Sequence, residues 1–397
     1  MKKLYTPTGA DCPSCPFNSQ VPVGPELIAP QRRQLIIVLE GPGYTEAAVG
    51  VPLAGKTGGF MDDVFQALGL ARGRVSILNS TACLPVNNPG PKEFRRAVNC
   101  CQPRLARELA AQAPQPGQII LAMGEKAMAS LCGFRRGGIT AWRGYPLPAL
   151  DQAFSQAHIF PTFHPSYVLR EPCYWPILKT DVRRALALQD GELSLNNTDP
   201  PITLSNAHET YQVITEIHRR ALHEGGHGCV GLDIETGGKN WLEAPLLCIG
   251  VADTIQAVSI PASHDEQVDG ALRDILRDPQ VGKVFQNRNV DLIGLRAAGY
   301  EVSEESPNNF DLLDAGRIAF PGVEHDLGAL ASYFLFAPRW KSDYHGGKDK
   351  GEDSWEKDAR DPVKFVEMQR YNALDAFRTR QLKPYLQRAL NQAKAGP

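Results

Sequence analysis

Three short clusters carry residues able to do chemistry: Asp233-Ile-Glu235, Asn287-Arg-Asn-Val-Asp291 and Tyr371-Asn-Ala-Leu-Asp375. Together they supply four carboxylates, three amides and a phenol, with no histidine among them. Hard oxygen donors of this kind suit Mg²⁺ or Mn²⁺ better than zinc. Two such ions about 3.5–4 Å apart stabilise both the attacking and the leaving oxygen of an in-line displacement at phosphorus. The set therefore points to a two-metal site that cleaves phosphodiesters, with Tyr371 orienting the attacking water.

The spacings fit the elements that must position these groups. Cys229-Val-Gly-Leu-Asp-Ile-Glu235 is apolar and β-rich, so Asp233 and Glu235, two apart on a strand, project from one face. Side-by-side carboxylates repel, and a divalent cation relieves that repulsion. A short strand around Lys283–Phe285 passes into a helical pattern over Val290–Gly299, placing Asn287 and Asp291 across a strand-to-helix entry. Tyr371 and Asp375, at i and i+4, share a face of the long helical stretch from Val363 to about Leu390. A lone Asp-x-Glu is usually a surface or capping pair; the ordered set of three clusters carries the reading.

The stretches "GLDIETGG", "KVFQNRNVDLIGL", "FDLLDAGRIAF", "HDLGALASYFL" and "YNALDAFRTRQLKPYL" occur in this order between about 200 and 390. They resemble the proofreading 3′–5′ exonuclease domain of the DNA polymerase I type, the variety with a tyrosine in its last motif. The resemblance implies a ribonuclease H-like α/β domain with a mixed sheet. It makes Asp233, Glu235, Asp291 and Asp375 ligands of two Mg²⁺ or Mn²⁺ ions, with Tyr371 on the water and Asn287 supporting the second motif. In that family a polymerase domain follows. This chain ends at Pro397, so the expectation is either a shortened chain or a subunit working with a separate DNA polymerase.

Length and composition frame the rest. At 397 residues with 43% hydrophobic content, the chain is expected to form two or three globular domains. No apolar run approaches the length of a membrane span and the start lacks a secretory segment, so an intracellular protein with no membrane partner is expected. The net charge of −2 hides an asymmetry. Residues 1–190 hold 20 Lys+Arg against 13 Asp+Glu, a net of +7, whereas the remainder holds 22 against 31, a net of −9. A basic first half attracts phosphate; an acidic second half must rely on cations to hold a polyanion. The arginine pairs at 32–33, 95–96, 135–136 and 183–184 suggest a phosphate track. Residues 191–201, polar and ending in Pro200-Pro201, read as a linker between domains 1–190 and 202–397. Lys341 to Asp361, rich in Gly, Lys, Asp and Glu, reads as a loop before the last helix.

Nine cysteines in a chain expected to be intracellular favour metal or thiol chemistry over disulfides. Cys12-Pro-Ser-Cys15 presents two thiolates from one turn. Cys83 follows a strand, and Cys100-Cys101 begin or enter the next helix. Cys12, Cys15, Cys83 and one of the pair fit either a structural zinc or a [4Fe–4S] cluster, and spacing does not choose. Cys132, Cys173, Cys229 and Cys248 carry no spacing signal and read as small buried residues.

The residues around these cysteines resemble a family-4 uracil-DNA glycosylase, the iron–sulfur branch. The matching motifs are "LEGPGYTE" (39–46), "GVPLAGKTG" (50–58), "NSTACLP" (79–85), "IILAMGEKA" (119–127) and "HPSYVLR" (164–170). The resemblance implies an α/β/α fold and a [4Fe–4S] cluster on Cys12, Cys15, Cys83 and Cys101, the last favoured over Cys100 by Cys101-Gln-Pro103. A glycosylase flips its nucleotide and reads the exposed base edge. Asn79 would read that edge, His164 would stabilise the departing base, and Glu40 and Glu46 would support a cationic sugar or position water. The chain departs from the pattern at Leu39, Ala47 and Leu53. Leu53 replaces an aromatic that stacks on the base, an interaction worth roughly 1–3 kcal/mol.

Fusions of this kind resemble those of some bacteriophage replication polymerases. The expected protein is a cytoplasmic 3′–5′ exodeoxyribonuclease of a bacterial or phage-infected cell. It would act on single-stranded or frayed 3′ DNA ends, including uracil-containing ones. Its glycosylase-like half either excises uracil, or serves only as a DNA-binding or polymerase-docking module, or is a zinc-stabilised structural domain.

Overall fold

The computed structural model describes residues 5–85, 89–135, 137–195, 199–204, 206–223, 228–238, 242–337, 340 and 354–395. They separate into two compact units, Met1–Asn196 and Asn197–Pro397. Among the described residues no helix is long and apolar enough to cross a membrane.

The first unit is built on five strands: β1 (Leu35–Leu39), β2 (Val75–Asn79), β3 (Ile119–Met123), β4 (Leu147–Pro148) and β5 (His158–Thr162). Their order is β2-β1-β3-β5-β4, and all neighbours are parallel except β4 and β5. The four parallel strands are mostly apolar and buried on both faces, the pattern expected where helices cover a sheet on either side. Strand order reverses at β1, which pairs with β2 on one side and β3 on the other. Crevices that hold ligands open at the carboxyl ends of strands beside such a point. The helix Pro91–Ala111 packs under this sheet through Leu105 and Leu109. Cys100 and Cys101 lie in its middle, whereas the sequence alone has them begin or enter the helix. The helix begins at Gly90-Pro91, ten residues earlier, because proline is well placed in a first turn.

The second unit holds β6 (Ile202–Thr203), β7 (Cys229–Thr236), β8 (Leu246–Ala252), β9 (Ala257–Pro261), β10 (Gly282–Phe285) and β11 (Phe310–Asp311), in the order β11-β10-β7-β8-β9-β6. The sheet is mixed: β7, β8 and β9 run antiparallel in sequence, while β10 is parallel to β7 and to β11. Val230, Leu232 and Ile234 of β7 enter a core shared with the helices Ala207–His223, Glu266–Arg277 and Arg288–Ala297. The alternate residues Gly231, Asp233 and Glu235 therefore take the other face. There the helix Pro362–Ala395 crosses, at close range. A Cβ on Gly231 would stand 2.0 Å from the Ala376 carbonyl oxygen, and one on Gly250 of β8 would stand 2.7 Å from that of Asn372.

The proposed linker is not loose throughout. Asp199 accepts hydrogen bonds from Arg370 at 3.1 Å and Arg378 at 3.4 Å, and Ala257 donates its N–H to the Pro201 carbonyl. Of the segment Lys341–Asp361 expected as a loop, 341–353 lie outside the described residues, and Ser354–Arg360 form a helix. Cys132, Cys229 and Cys248 are buried as expected, whereas Cys173 is partly exposed.

Lys283 is fully buried on β10, its ammonium donating to the carbonyls of Asp278 at 2.6 Å and Val281 at 2.8 Å. Burial pushes its pKa down to about 8, with Asp278 opposing the shift. The unfolded chain then binds more protons than the fold between that value and the ordinary lysine range, so stability rises with pH across this window. In urea titrations from pH 7 to 10, wild type should gain stability relative to Lys283→Met above about pH 8. Parallel curves would remove Lys283 as the source.

Candidate functional site

In the second unit Asp233, Asp291 and Asn372 come together at β7. Asp233 stands opposite Gly250 and Glu235 opposite Cys248, both on the face covered by the Pro362–Ala395 helix. Asn372 of that helix is fully buried and donates to the Asp233 carboxylate at 2.9 Å and to its carbonyl at 3.1 Å. Asp291, on the first turn of the helix that follows β10, turns back to the same strand end, where its Oδ1 accepts the Ile234 N–H at 3.2 Å. Asp375 lies one turn beyond Tyr371 and accepts a hydrogen bond from the indole of Trp340. Asn287 caps the Asp291 helix in the left-handed conformation, φ 70°, a region asparagine tolerates better than most residues. It makes no side-chain capping bond there.

Electrostatics describe a site short of positive charge. Burial holds the Asp291 carboxyl well above the usual carboxylate range, and the neighbouring Asp233 and Asp311 push it further in that direction. Cys248, beneath the acids, is raised by its own burial and then by Glu235 and Asp233. Asp311 also caps the Leu312–Ala319 helix through the amides of Leu313 and Asp314 and accepts the Arg288 amide. The sequence reading missed Asn372, Trp340 and Asp311. Asn372 directly follows Tyr371 and was legible as part of the third cluster, but nothing local marks Trp340.

In the first unit four groups stand just beyond the carboxyl ends of adjacent parallel strands: Glu40 after β1, Asn79 at the end of β2, Lys126 after β3 and His164 after β5. Glu40 accepts the Lys126 amide at 3.1 Å and lies 3.6 Å from its ammonium. Gly124, at φ +101°, permits this approach, since a Cβ there would stand 2.5 Å from Glu40 Oε1. His164 Nδ1 accepts the Ser166 N–H at 3.2 Å, which leaves the proton of the neutral ring on Nε2. Burial keeps the ring below the usual histidine range, with Glu40 opposing and Lys126 and Arg170 adding to that shift. The Asn79 side chain is buried and its Oδ1 has no hydrogen-bond partner.

Glu46 is engaged by its own loop: its Oε1 accepts the Leu53 N–H at 2.7 Å and its Oε2 accepts that of Gly43. Arg72 completes the loop by donating to the carbonyls of Leu53 at 2.9 Å and Pro52 at 2.8 Å. Leu53 is thereby held buried at φ 52°, a conformation a branched side chain rarely takes. Of the arginines expected along a phosphate track, Arg33 is used internally, on Gln112 and Gln118. Arg95 and Arg135 lie over the rings of Phe134 and Trp142, and Arg136 lies outside the described residues.

Cys12, Cys15, Cys83, Cys100 and Cys101 line one cavity of about 160 Å³. Burial raises Cys83 to about 12, and Cys101, Cys15 and Cys12 push in the same direction. Cys100 instead feels Asp11 and Arg96 most after its own burial. Among the described residues neither the acids nor the thiols already form a closed metal-binding group. Both donor sets nonetheless fit a cation: thiolates or carboxylates that raise one another's pKa in a buried site become compatible once a cationic centre joins them.

A model of the uracil DNA glycosylase superfamily matches residues 25–186, and one described as a 3′–5′ exonuclease matches residues 209–391. The type-4 uracil-DNA glycosylase of Pyrobaculum aerophilum is 30% identical over 185 residues, 45% of this chain and 87% of that protein. That of Thermotoga maritima is 29% identical over 184 residues, 46% of this chain and 86% of that protein. Among solved structures, the Aedes aegypti Nibbler EXO domain covers 50% of this chain and 92% of its own, at 17% identity and a TM-score of 0.37. Brucella melitensis NrnC bound to pGG covers 50% and 88%, at 21% identity and a TM-score of 0.34. The chain belongs to the uracil DNA glycosylase superfamily through its first unit, and its second unit is matched by the 3′–5′ exonuclease family model.

Proposed function

We propose that the protein is a divalent-metal-dependent 3′–5′ exodeoxyribonuclease whose glycosylase domain recognises uracil in the DNA. The exonuclease reading rests on one observation: Asp291, buried and unfavourably charged beside Asp233, shares a strand end with a helix bearing Tyr371, Asn372 and Asp375. Bound Mg²⁺ or Mn²⁺ would neutralise these acids and the charge that develops at phosphorus. Asp233, Glu235, Asp291 and Asp375 would hold the ions. Asn372 and Trp340 fix the orientation of two of these carboxylates, and Tyr371 places the attacking water.

The glycosylase reading rests on Asn79, whose unpartnered buried Oδ1 can accept from the N–H of a flipped uracil. A neutral His164 with its proton on Nε2 can donate to the departing base, and Glu40, steadied by Lys126, faces the sugar side. Cys12, Cys15, Cys83 and Cys101 would hold a [4Fe–4S] cluster. Leu53 favours a second reading, in which the pocket binds without excising, because an aliphatic side chain gives the base no stacking platform.

Two labelled substrates separate the possibilities. A 3′-labelled single strand should release labelled mononucleotide only with Mg²⁺ or Mn²⁺, and the same strand labelled at 5′ should shorten stepwise; release of label first from the 5′ end would refute the polarity. A uracil-containing oligonucleotide examined for abasic sites in an Asp233→Ala background distinguishes excision from binding alone.

A further inference from the structure

Among the described residues of the first unit, Arg104 is the most deeply buried cation outside the fully enclosed Arg143–Asp181 pair, with 1% of its side chain exposed. It sits one turn after Cys101 on the Pro91–Ala111 helix. Its guanidinium donates to the carbonyls of Asn79 at 2.5 Å and Ser80 at 3.0 Å, and to Glu108 at 2.7 Å. Glu108 in turn accepts a hydrogen bond from the Tyr5 hydroxyl. These contacts join three places. Asn79 ends β2 at the base pocket, and Cys83 lies four residues further along the same chain segment. Tyr5 belongs to the amino-terminal segment that delivers Cys12 and Cys15, itself tied to the helix where Asp11 donates its N–H to the Cys100 carbonyl at 2.9 Å. A buried guanidinium is retained at high desolvation cost unless its donors are matched. Here one terminal nitrogen is matched to the Glu108 carboxylate and the other to the two backbone carbonyls, whose positions it therefore fixes, while Nε is buried without a partner.

We propose that Arg104 is a positioning residue that couples the cysteine cavity to the base pocket. The helix that supplies Cys101 grips the strand end that presents Asn79, so that ordering the thiolates around their cofactor also sets the Asn79 amide. This rests on the reading of Asn79 as the group that recognises uracil. Arg104 itself touches no substrate.

The test uses full-length protein carrying Asp233→Ala to silence digestion, with Arg104→Met, Arg104→Lys and Asn79→Ala added singly. Three quantities are measured: bound metal, hydrogen exchange at the amides of Ser80–Cys83, and affinity for duplexes holding one 2′-fluorodeoxyuridine or one thymidine. Arg104→Met should keep its metal, exchange about tenfold or more faster at Ser80–Cys83 but not elsewhere, and lose about tenfold of its uracil preference. Arg104→Lys should retain part of both properties. Unchanged exchange and preference in Arg104→Met would overturn the coupling. If Arg104→Met does not fold, Arg104→Lys decides by the same measurements, and wild-type behaviour in it counts against the proposal. If Asn79→Ala keeps the full uracil preference while Arg104→Met still speeds local exchange, the reading of Asn79 fails and the mechanical coupling stands.

Discussion

Asp233→Ala should lose about a thousandfold or more of metal-dependent 3′ digestion while remaining folded. Alanine loses the carboxylate's 2.9 Å hydrogen bond from Asn372. Its partner Asn372 keeps the bond to the backbone carbonyl of residue 233, and the neighbouring Asp291 is relieved of a repelling charge. The variant should therefore be no less stable than wild type in EDTA. The contrast appears on adding Mg²⁺ or Mn²⁺. A ligand that binds only the folded state stabilises it by RT ln(1 + [L]/Kd), about 2.7 kcal/mol at a hundredfold excess over Kd. Wild type should show a rise in melting temperature with added metal and Asp233→Ala little or none. Digestion at the wild-type rate, or an undiminished metal-induced rise, would remove Asp233 from the site.

Gly231→Ala should damage the same activity without touching a reacting group. The added methyl would stand 2.0 Å from the Ala376 carbonyl oxygen and 2.9 Å from the Arg380 amide nitrogen. Both are backbone atoms of one continuous helix, so no side-chain rotation relieves the clash, and the helix must lift from β7. Overpacking of this kind costs about 1–3 kcal/mol or more. Because the same helix carries Tyr371, Asn372 and Asp375, lifting it separates the third cluster from Asp233 and Glu235. A displacement of about 1 Å is enough to lower a rate by about a hundredfold. Gly270→Ala is the control: a Cβ there meets nothing within 4 Å, and in a helix interior alanine should add about 0.5–1 kcal/mol. Urea midpoints and 3′-label release for the two variants check both statements. A Gly231→Ala protein with wild-type rate would mean the helix need not lie so close.

Much of the exonuclease site was legible because its spacings are local. Asp233 and Glu235 must share a face on any strand, and Tyr371 and Asp375 must share one on any helix. The strand at Cys229–Thr236 and the helix ending the chain follow from the same periodicities. The cysteines were legible as a donor set, since few other arrangements suit several thiols in a chain of this kind. Less legible was how each polar group is occupied. Glu46 has the same chemistry as Glu40, and only the fold brings the N–H groups of Leu53 and Gly43 to its two oxygens. The Cys100-Cys101 pair was read as beginning or entering a helix, whereas the helix already starts at Pro91 after its Gly90 cap.

By itself the sequence determined the donor types, their order and the faces they share within each element, because side-chain direction along a strand or helix depends only on neighbours a few residues away. Only the tertiary structure decided that β7, the Asp291 helix and the last helix meet at one point, that Trp340 holds Asp375, and that Lys126 accompanies Glu40. It alone placed Arg104 between the cysteines and Asn79. Those contacts link residues tens of positions apart or more, and their geometry follows from which backbones pack close enough to touch, as at Gly231 and Gly250, rather than from any local repeat.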